Sequence, residues 1–360
     1  MSSRPDTPAS PAAAEPDGQP AGTTAGTGPG TTAGGATAEG ASTEGGRGGR
    51  VRWSVWAQRY GALAALAALF VYNAIATPYF LTPQSLLFIL LRQAAPIAIV
   101  AVGMAIVIGT GGIDLSVGSV MAIAGQVGAV LVLGGQPALL AVLAALLVAA
   151  LCGLFNGTLV ARFGVQPIIA TLILFIAGRG IAQLITGGEL QPLSNPDFQW
   201  IGLARPLGVP AQVIIAVVVA VVAWLVMRLT VYGRYVLAVG GNETASRLAG
   251  LPAARVKLLA YVTSGVLAGL VGLIAVSATS ASDANNTGVG MELDAIAAVA
   301  VAGTPLTGGK VTIPGAVVGA VLLKLLQNTL ISKGVTKEVA QIVTGAVIVL
   351  ALWLQRQDTP

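Results

Sequence analysis

Asp114 is a carboxylate set between two long apolar runs, in Gly111-Gly112-Ile113-Asp114-Leu115-Ser116-Val117-Gly118-Ser119. An ionisable group in such surroundings is costly to bury and is placed against water or a polar partner. Two readings are open. The glycines permit backbone geometries closed to other residues, so Gly111 and Gly112 can break a helix that lines a solute path, with Asp114 and Ser116 on it; or Asp114 or Ser116 simply caps the helix that follows. Bond-making chemistry has little to work with. The chain has no His and a single Cys, Cys152, inside an apolar run, which removes the commonest metal ligand and the usual nucleophile–base pairs. The nearest approach to a phosphate loop, Gly303 to Lys310, puts Gly309 where the lysine belongs and Val311 after Lys310. The expectation is therefore no catalytic residue, no metal and no cofactor bound by this chain.

Polar residues within apolar runs are further candidates for a path: Arg92, Gln93, Gln126, Asn156, Arg179, Gln183, Lys324 and Asn328. Buried polar groups in lipid need partners, so these point inward or snorkel to an end. Arg92 lies near a run's end and Arg179 deeper, with no partner that the sequence identifies. A second kind of site is suggested by residues 230–257, which carry no long apolar run. There Asn242 is a good N-cap, Glu243 suits the start of a helix dipole, and Gly250 followed by Pro252 is a natural stop. These residues predict a short helix over 243–249, exposing Glu243, Ser246 and Arg247. It is either a docking surface for a soluble partner or a charged loop.

The elements that must position these residues follow from composition. Hydrophobic residues make up 55% of the 360 and charged ones 9%, where soluble domains carry roughly a quarter charged. With a mean hydropathy of +0.84, the solvent of the fold is lipid. Apolar runs at 60–77, 86–109, 115–133, 137–160, 166–186, 212–229, 258–279, 294–304, 314–331 and 338–354 predict an all-α polytopic bundle of about ten transmembrane segments, because open strands leave unpaired backbone groups in lipid. The run at 294–304 is too short to cross alone and is expected to be a half-helix or re-entrant piece, bordered by Gly308-Gly309, Pro305 and Pro314. Residues 1–50, almost wholly Ala, Gly, Pro, Ser and Thr, predict a disordered low-complexity cytoplasmic tail and not a secretory signal. Residues 51–360 form the transmembrane domain.

With the N-terminus inside, Arg47, Arg50, Arg52, Arg59, Arg162, Arg228, Arg234, Arg247, Arg255, Lys257, Lys310 and Arg356 face the cytoplasm, and only Arg205, Lys333 and Lys337 the outside. That bias places both termini in the cytoplasm. Outer loops then carry Glu189, Asp197, Asp283, Glu292 and Asp294, either a docking set for a basic partner surface or solvated charge. A weak internal repeat lays Thr110-Gly111-Gly112 and Gly118 on Thr307-Gly308-Gly309 and Gly315, as a duplicated transporter half would. The Gly308-Gly309 pair is thus a second expected helix break.

Three stretches in this order carry a family resemblance: GGIDLSVGS, GGNETASRLAG, and Glu292 through Leu293-Asp294-Ala295-Ile296-Ala297-Ala298-Val299 to Thr307-Gly308-Gly309-Lys310. Together they resemble the permease subunits of ribose-type ABC sugar importers, over roughly residues 58–355. The resemblance implies a protein of the bacterial inner membrane, surrounded by the lipid bilayer and paired as a homo- or heterodimer with a second permease subunit. It also implies a separate cytoplasmic ATP-binding subunit that holds ATP and Mg, an extracytoplasmic solute-binding protein, and no nucleic acid among the partners. The segment Asn242, Glu243, Ala245, Arg247 and Gly250 would couple to the ATPase, with Thr244 where an acid is expected. The path would include Asp114, Ser116, Asn156, Arg179 and Gln183. The implied solute is a monosaccharide such as ribose, another pentose or a rhamnose-like sugar. Nucleosides or branched-chain amino acids are the alternative, and an ion-coupled carrier would need more intramembrane acids than Asp114 offers.

Overall fold

A computed structural model describes residues 47–356, so the tail expected to be disordered lies, up to residue 46, outside the described residues. The elements are α1 (Arg47–Ala76), a π-helical stretch (Gln84–Leu91) running into α2 (Arg92–Gly109), α3 (Val117–Leu133), α4 (Ala138–Ala161), α5 (Pro167–Thr186), β1 (Gln191–Pro192) and α6 (Pro196–Leu203). Then come α7 (Ala211–Leu229), α8 (Val231–Gly241), α9 (Glu243–Leu248), α10 (Ala253–Thr279), β2 (Ala281–Ser282), α11 (Met291–Val301), α12 (Ile313–Ser332) and α13 (Lys337–Arg356). Prolines mark many starts: Pro137, Pro210 and Pro252 immediately precede α4, α7 and α10, while Pro167 and Pro314 stand in the first turns of α5 and α12. Proline is tolerated there because the first helical N–H groups have no partner within the helix. α5 stops at Gly187, whose φ of 67° few other residues adopt.

This is a helical membrane protein. Among the described residues six helices are long and apolar enough to cross a bilayer, and every apolar run read from the sequence falls on a helix. α2 is the central column, with every residue from Ile97 to Gly109 buried, as expected for a helix apolar on all sides. α10 packs along it and also along α3 and α4. The approach to α4 is close because the seam is built of small residues: a Cβ on Gly265 would lie 2.6 Å from the Ala149 carbonyl oxygen, and one on Gly153 would lie 2.4 Å from that of Tyr261. On the other side of α4, Leu139, Leu143, Leu147 and Leu151 form an exposed stripe, an apolar surface suited to lipid.

The structure differs from the expectations in several places. Residues 230–257 hold two helices before α10 begins, since α8 precedes α9. Its Val236 and Val239 are buried against Ala253 and Val256, a contact that overrides its three glycines and β-branched residues. Ser246, expected on the exposed face of the short helix, is buried. α6 was not anticipated, although Asn195 caps it by accepting from the Phe198 N–H at 3.1 Å. A two-residue antiparallel pairing, Gln191 opposite Ser282, ties the α5–α6 connection to the end of α10. The half-helix expected near 294–304 is α11, 11 residues or about 16 Å long, roughly half the hydrocarbon thickness.

Candidate functional site

The first helix break is built around Asp114. Its Oδ1 accepts from the Ser116 N–H at 3.0 Å and the Ser116 hydroxyl at 2.7 Å, and its Oδ2 from the Ser264 hydroxyl of α10 at 2.8 Å. Asn156 of α4 donates to the Ser116 hydroxyl at 2.7 Å, and the Leu115 N–H donates to Thr171 of α5 at 3.2 Å. One turn is thereby fastened to three helices. Asp114, Ser116 and Asn156 are at most 1% exposed. Ser116 occupies the N-cap position of α3 without capping it through its side chain. Instead Asp114 bonds the backbone two residues on, as short polar side chains do in turns.

The second break lies between α11 and α12. Thr304 and Thr312 share a hydroxyl contact of 2.6 Å across it, and Gly308 and Gly309 have φ of 97° and 76°, a region that glycine enters without penalty. The Gly309 N–H donates to the Gly109 carbonyl at 3.1 Å, and a Cβ on Gly308 would lie 2.8 Å from the Gly111 nitrogen. The glycine pairs at matching places in the sequence repeat thus meet in space.

Away from both breaks is a cavity of about 590 Å³ lined by Gln93, Asn286, Thr287, Asp294 and Lys324 among others. Asp294 of α11 and Lys324 of α12 both stand at its wall, where Lys324 donates to the Gln327 side chain at 3.1 Å. Part of the wall is the loop after β2, and α5 holds that loop. Arg179 donates to the carbonyls of Ala284 and Thr287 at 2.8 and 2.7 Å, and Gln183 donates to the Asn285 side chain at 2.8 Å. These are the partners that the sequence could not name. Within the loop Asp283 accepts from the backbone of Asn285 and Asn286 and from the Asn286 side chain at 2.8 Å. The Asn286 bonds above all hold its carboxyl below the ordinary carboxylate range. Arg179 and Gln183 therefore support a cavity wall from behind, and Asp114, Ser116 and Asn156 sit in a closed cluster apart from the lining. Of the acids expected on outer loops, Glu292 and Asp294 are instead on α11. Glu292 is 6% exposed, its Oε2 lacking a hydrogen-bond partner beside Gly118, and Asp294 is half-buried.

α9 lies toward the other end of α10. From Lys257, which pairs with Glu243, to Ala275 and Thr279 on the cavity, α10 rises by about 30 Å. Asn242 caps α9, accepting from the Ala245 N–H at 2.9 Å, and Gly250 follows it with φ of 79°. Glu243 bridges Arg247 at 2.7 Å and Lys257. Partial burial opposes its charge, but these two cations prevail and hold the carboxyl below its ordinary value. Asn242, Thr244, Ala245, Arg247 and Leu248 are exposed, Leu248 at 85%. The helix presents a rigid, mixed apolar and basic surface.

Residues 85–352 match the family described as the branched-chain amino acid transport system permease component. The ribose import permease protein RbsC of Escherichia coli K12 is 42% identical over 304 residues, 82% of this chain and 93% of that protein. The galactofuranose transporter permease protein YtfT of the same organism is 42% identical over 268 residues, covering 74% and 79%. The fructose import permease protein FruF of Bifidobacterium longum is 39% identical over 270 residues, covering 74% and 76%. This chain belongs to the ribose-type ABC importer permease family. It is a transport component of the membrane.

Some of the permease's site residues escaped the sequence. Ser264 and Thr171 are ordinary hydroxyls in apolar helices, and only the fold places them on the Asp114 turn. Asn285 carried a faint signal as part of an Asp-Ala-Asn-Asn turn. Gly240 and Gly241 are one of several further Gly-Gly pairs in the sequence, and nothing local sets them apart from those at 134–135 and 187–188.

Proposed function

We propose that this permease forms the solute path of an ATP-driven, binding-protein-dependent importer of a monosaccharide, with about ten membrane segments and both termini in the cytoplasm. The observation that carries this reading is the separation along α10: a cavity whose largely apolar wall carries a few polar groups toward one end, and a capped, exposed helix toward the other. The cavity suits a neutral polyhydroxylated solute. Gln93, Asn286 and Thr287 offer amide and hydroxyl groups, Asp294 accepts and Lys324 donates, so hydroxyls of either role find a partner. Relatives that import ribose, galactofuranose and fructose favour the same class. At Asp114 both carboxylate oxygens already accept from protein donors, which leaves none free for a coupling ion there.

In this reading α9 is the coupling helix, and Asn242, Glu243, Ala245, Arg247 and Gly250 shape the surface that receives the ATPase, where ATP and Mg are held. The cavity opens toward the extracytoplasmic binding protein, and a second permease subunit, the same or a sibling, completes the assembly. Arg179 and Gln183 serve the path by holding its outer wall, while Asp114, Ser116 and Asn156 serve it by fixing the first break. Deletion of residues 243–249, or Arg247→Glu, is expected to abolish solute-stimulated ATP hydrolysis in the assembled complex while membrane insertion persists. Unchanged stimulation would contradict the coupling role.

A further inference from the structure

Resting on the reading of α9 as the coupling helix, we propose that Gly240 is a positioning residue of transport: at its position the end of α8 bears backbone to backbone on both helix breaks and passes motion of α9 to them. A Cβ on Gly240 would lie 1.9 Å from the Gly109 carbonyl oxygen and 2.6 Å from the Gly309 nitrogen. Gly109 ends α2, and its carbonyl already accepts from Gly309 at 3.1 Å. A Cβ on Gly308 would lie 2.9 Å from the Gly240 carbonyl oxygen. Three segments therefore meet with no side chain between them. Gly241 also adjoins the second break, a Cβ on Gly309 lying 3.1 Å from its Cα, but its own Cβ would point into open space, so only Gly240 of the pair has no room for a methyl.

The absence of side chains decides what this contact can transmit. A layer of side chains absorbs small displacements by changing rotamer, whereas touching backbones have no such freedom, and packed elements shift as units. Gly240 stands two residues before the N-cap of α9, so a push on α9 reaches the contact through a single short helix. From there each break leads to the cavity. α2 carries Gln93, Pro96 and Ile97 to its wall, and the second break is joined to α11, which carries Met291 and Asp294. Val311 and Val236 close the sides of the joint: a Cβ on Gly109 would lie 2.1 Å from Val311 Cγ2 and 3.0 Å from Val236 Cγ1.

The test uses the full permease assembled with its ATPase and binding-protein partners in proteoliposomes, measuring ATPase retained, ATP hydrolysed and labelled ribose taken up. Gly240→Ala is expected to keep the ATPase bound and hydrolysing while uptake per ATP falls roughly tenfold, within the range by which single changes alter coupling. Gly241→Ala leaves the ratio unchanged. Should Gly240→Ala fail to accumulate in the membrane, Gly109→Ala and the double variant Gly109→Ala/Val311→Ala decide: the single lowers uptake per ATP, and the double, with room for the added methyl, restores most of it. Wild-type uptake per ATP in Gly240→Ala, equal loss in Gly241→Ala, or no restoration in the double variant overturns the joint. If deletion of residues 243–249 leaves ATP hydrolysis stimulated, the coupling reading itself fails, which is a separate result from a failed joint.

Discussion

The two helix breaks stand at corresponding places in a weak sequence repeat and touch each other, yet they are held in opposite ways. At the first, a buried carboxylate takes three hydrogen bonds, and the turn is tied to α4, α5 and α10. At the second, a single pair of threonine hydroxyls spans the turn, and Lys310 reaches the Gly303 carbonyl only at 3.4 Å. Each such bond contributes about 1 kcal/mol net. The first break, with more of them, is the more tightly tied. A push passed through the Gly240 contact therefore meets more resistance at the first break than at the second.

The largest effect should come from removing the stiff anchor. Asp114→Ala leaves the Ser116 and Ser264 donors buried without their acceptor and is expected to cost about 3 kcal/mol or more, seen as a lowered thermal unfolding temperature of the purified permease. A stability unchanged within error would mean that the cluster does not hold the first break. Thr312→Val removes the hydroxyl pair at the second break and should cost only about 1 kcal/mol. Equal losses in the two variants would erase the contrast. The smallest effect lies at α9. Because the Glu243 carboxyl is held below its ordinary value of 4.5, its two ion pairs contribute above that pH and are lost as pH falls through the lowered value. The contribution is about 0.5 kcal/mol for a partly exposed pair. Glu243→Gln should remove this acid-side dependence while leaving the Asn242 cap, which amide exchange of the Ala245 N–H would report.

Much of this arrangement is legible in the sequence, because lipid imposes a strong and simple rule. Every long apolar run is a helix, and the shortness of the run at 294–304 together with its bordering glycines and prolines announces a half-helix. The cap at Asn242 and the stop at Gly250 are local chemistry and read directly. What escapes depends on contacts between distant parts of the chain. The burial of Ser246 and the formation of α8 rest on packing against the start of α10. Glu292 reads as an outer-loop acid because it precedes the apolar run at 294–304, yet the first turn of α11 is folded against Gly118. The roles of Arg179 and Gln183 likewise require knowing that the loop 283–290 lies over α5. The glycine pairs at 111–112 and 308–309 suggest breaks, but their mutual contact, and the place of Gly240 beside it, belong to tertiary structure alone.

The account stands most directly on the source of energy for uptake. In proteoliposomes carrying this permease with its ATPase and binding protein, labelled ribose, fructose and galactose should be compared with and without ATP inside the ATPase-facing compartment. The expected result is accumulation of at least one of these sugars only when ATP, ATPase and binding protein are all present. Accumulation driven by an ion gradient through the permease alone would contradict it.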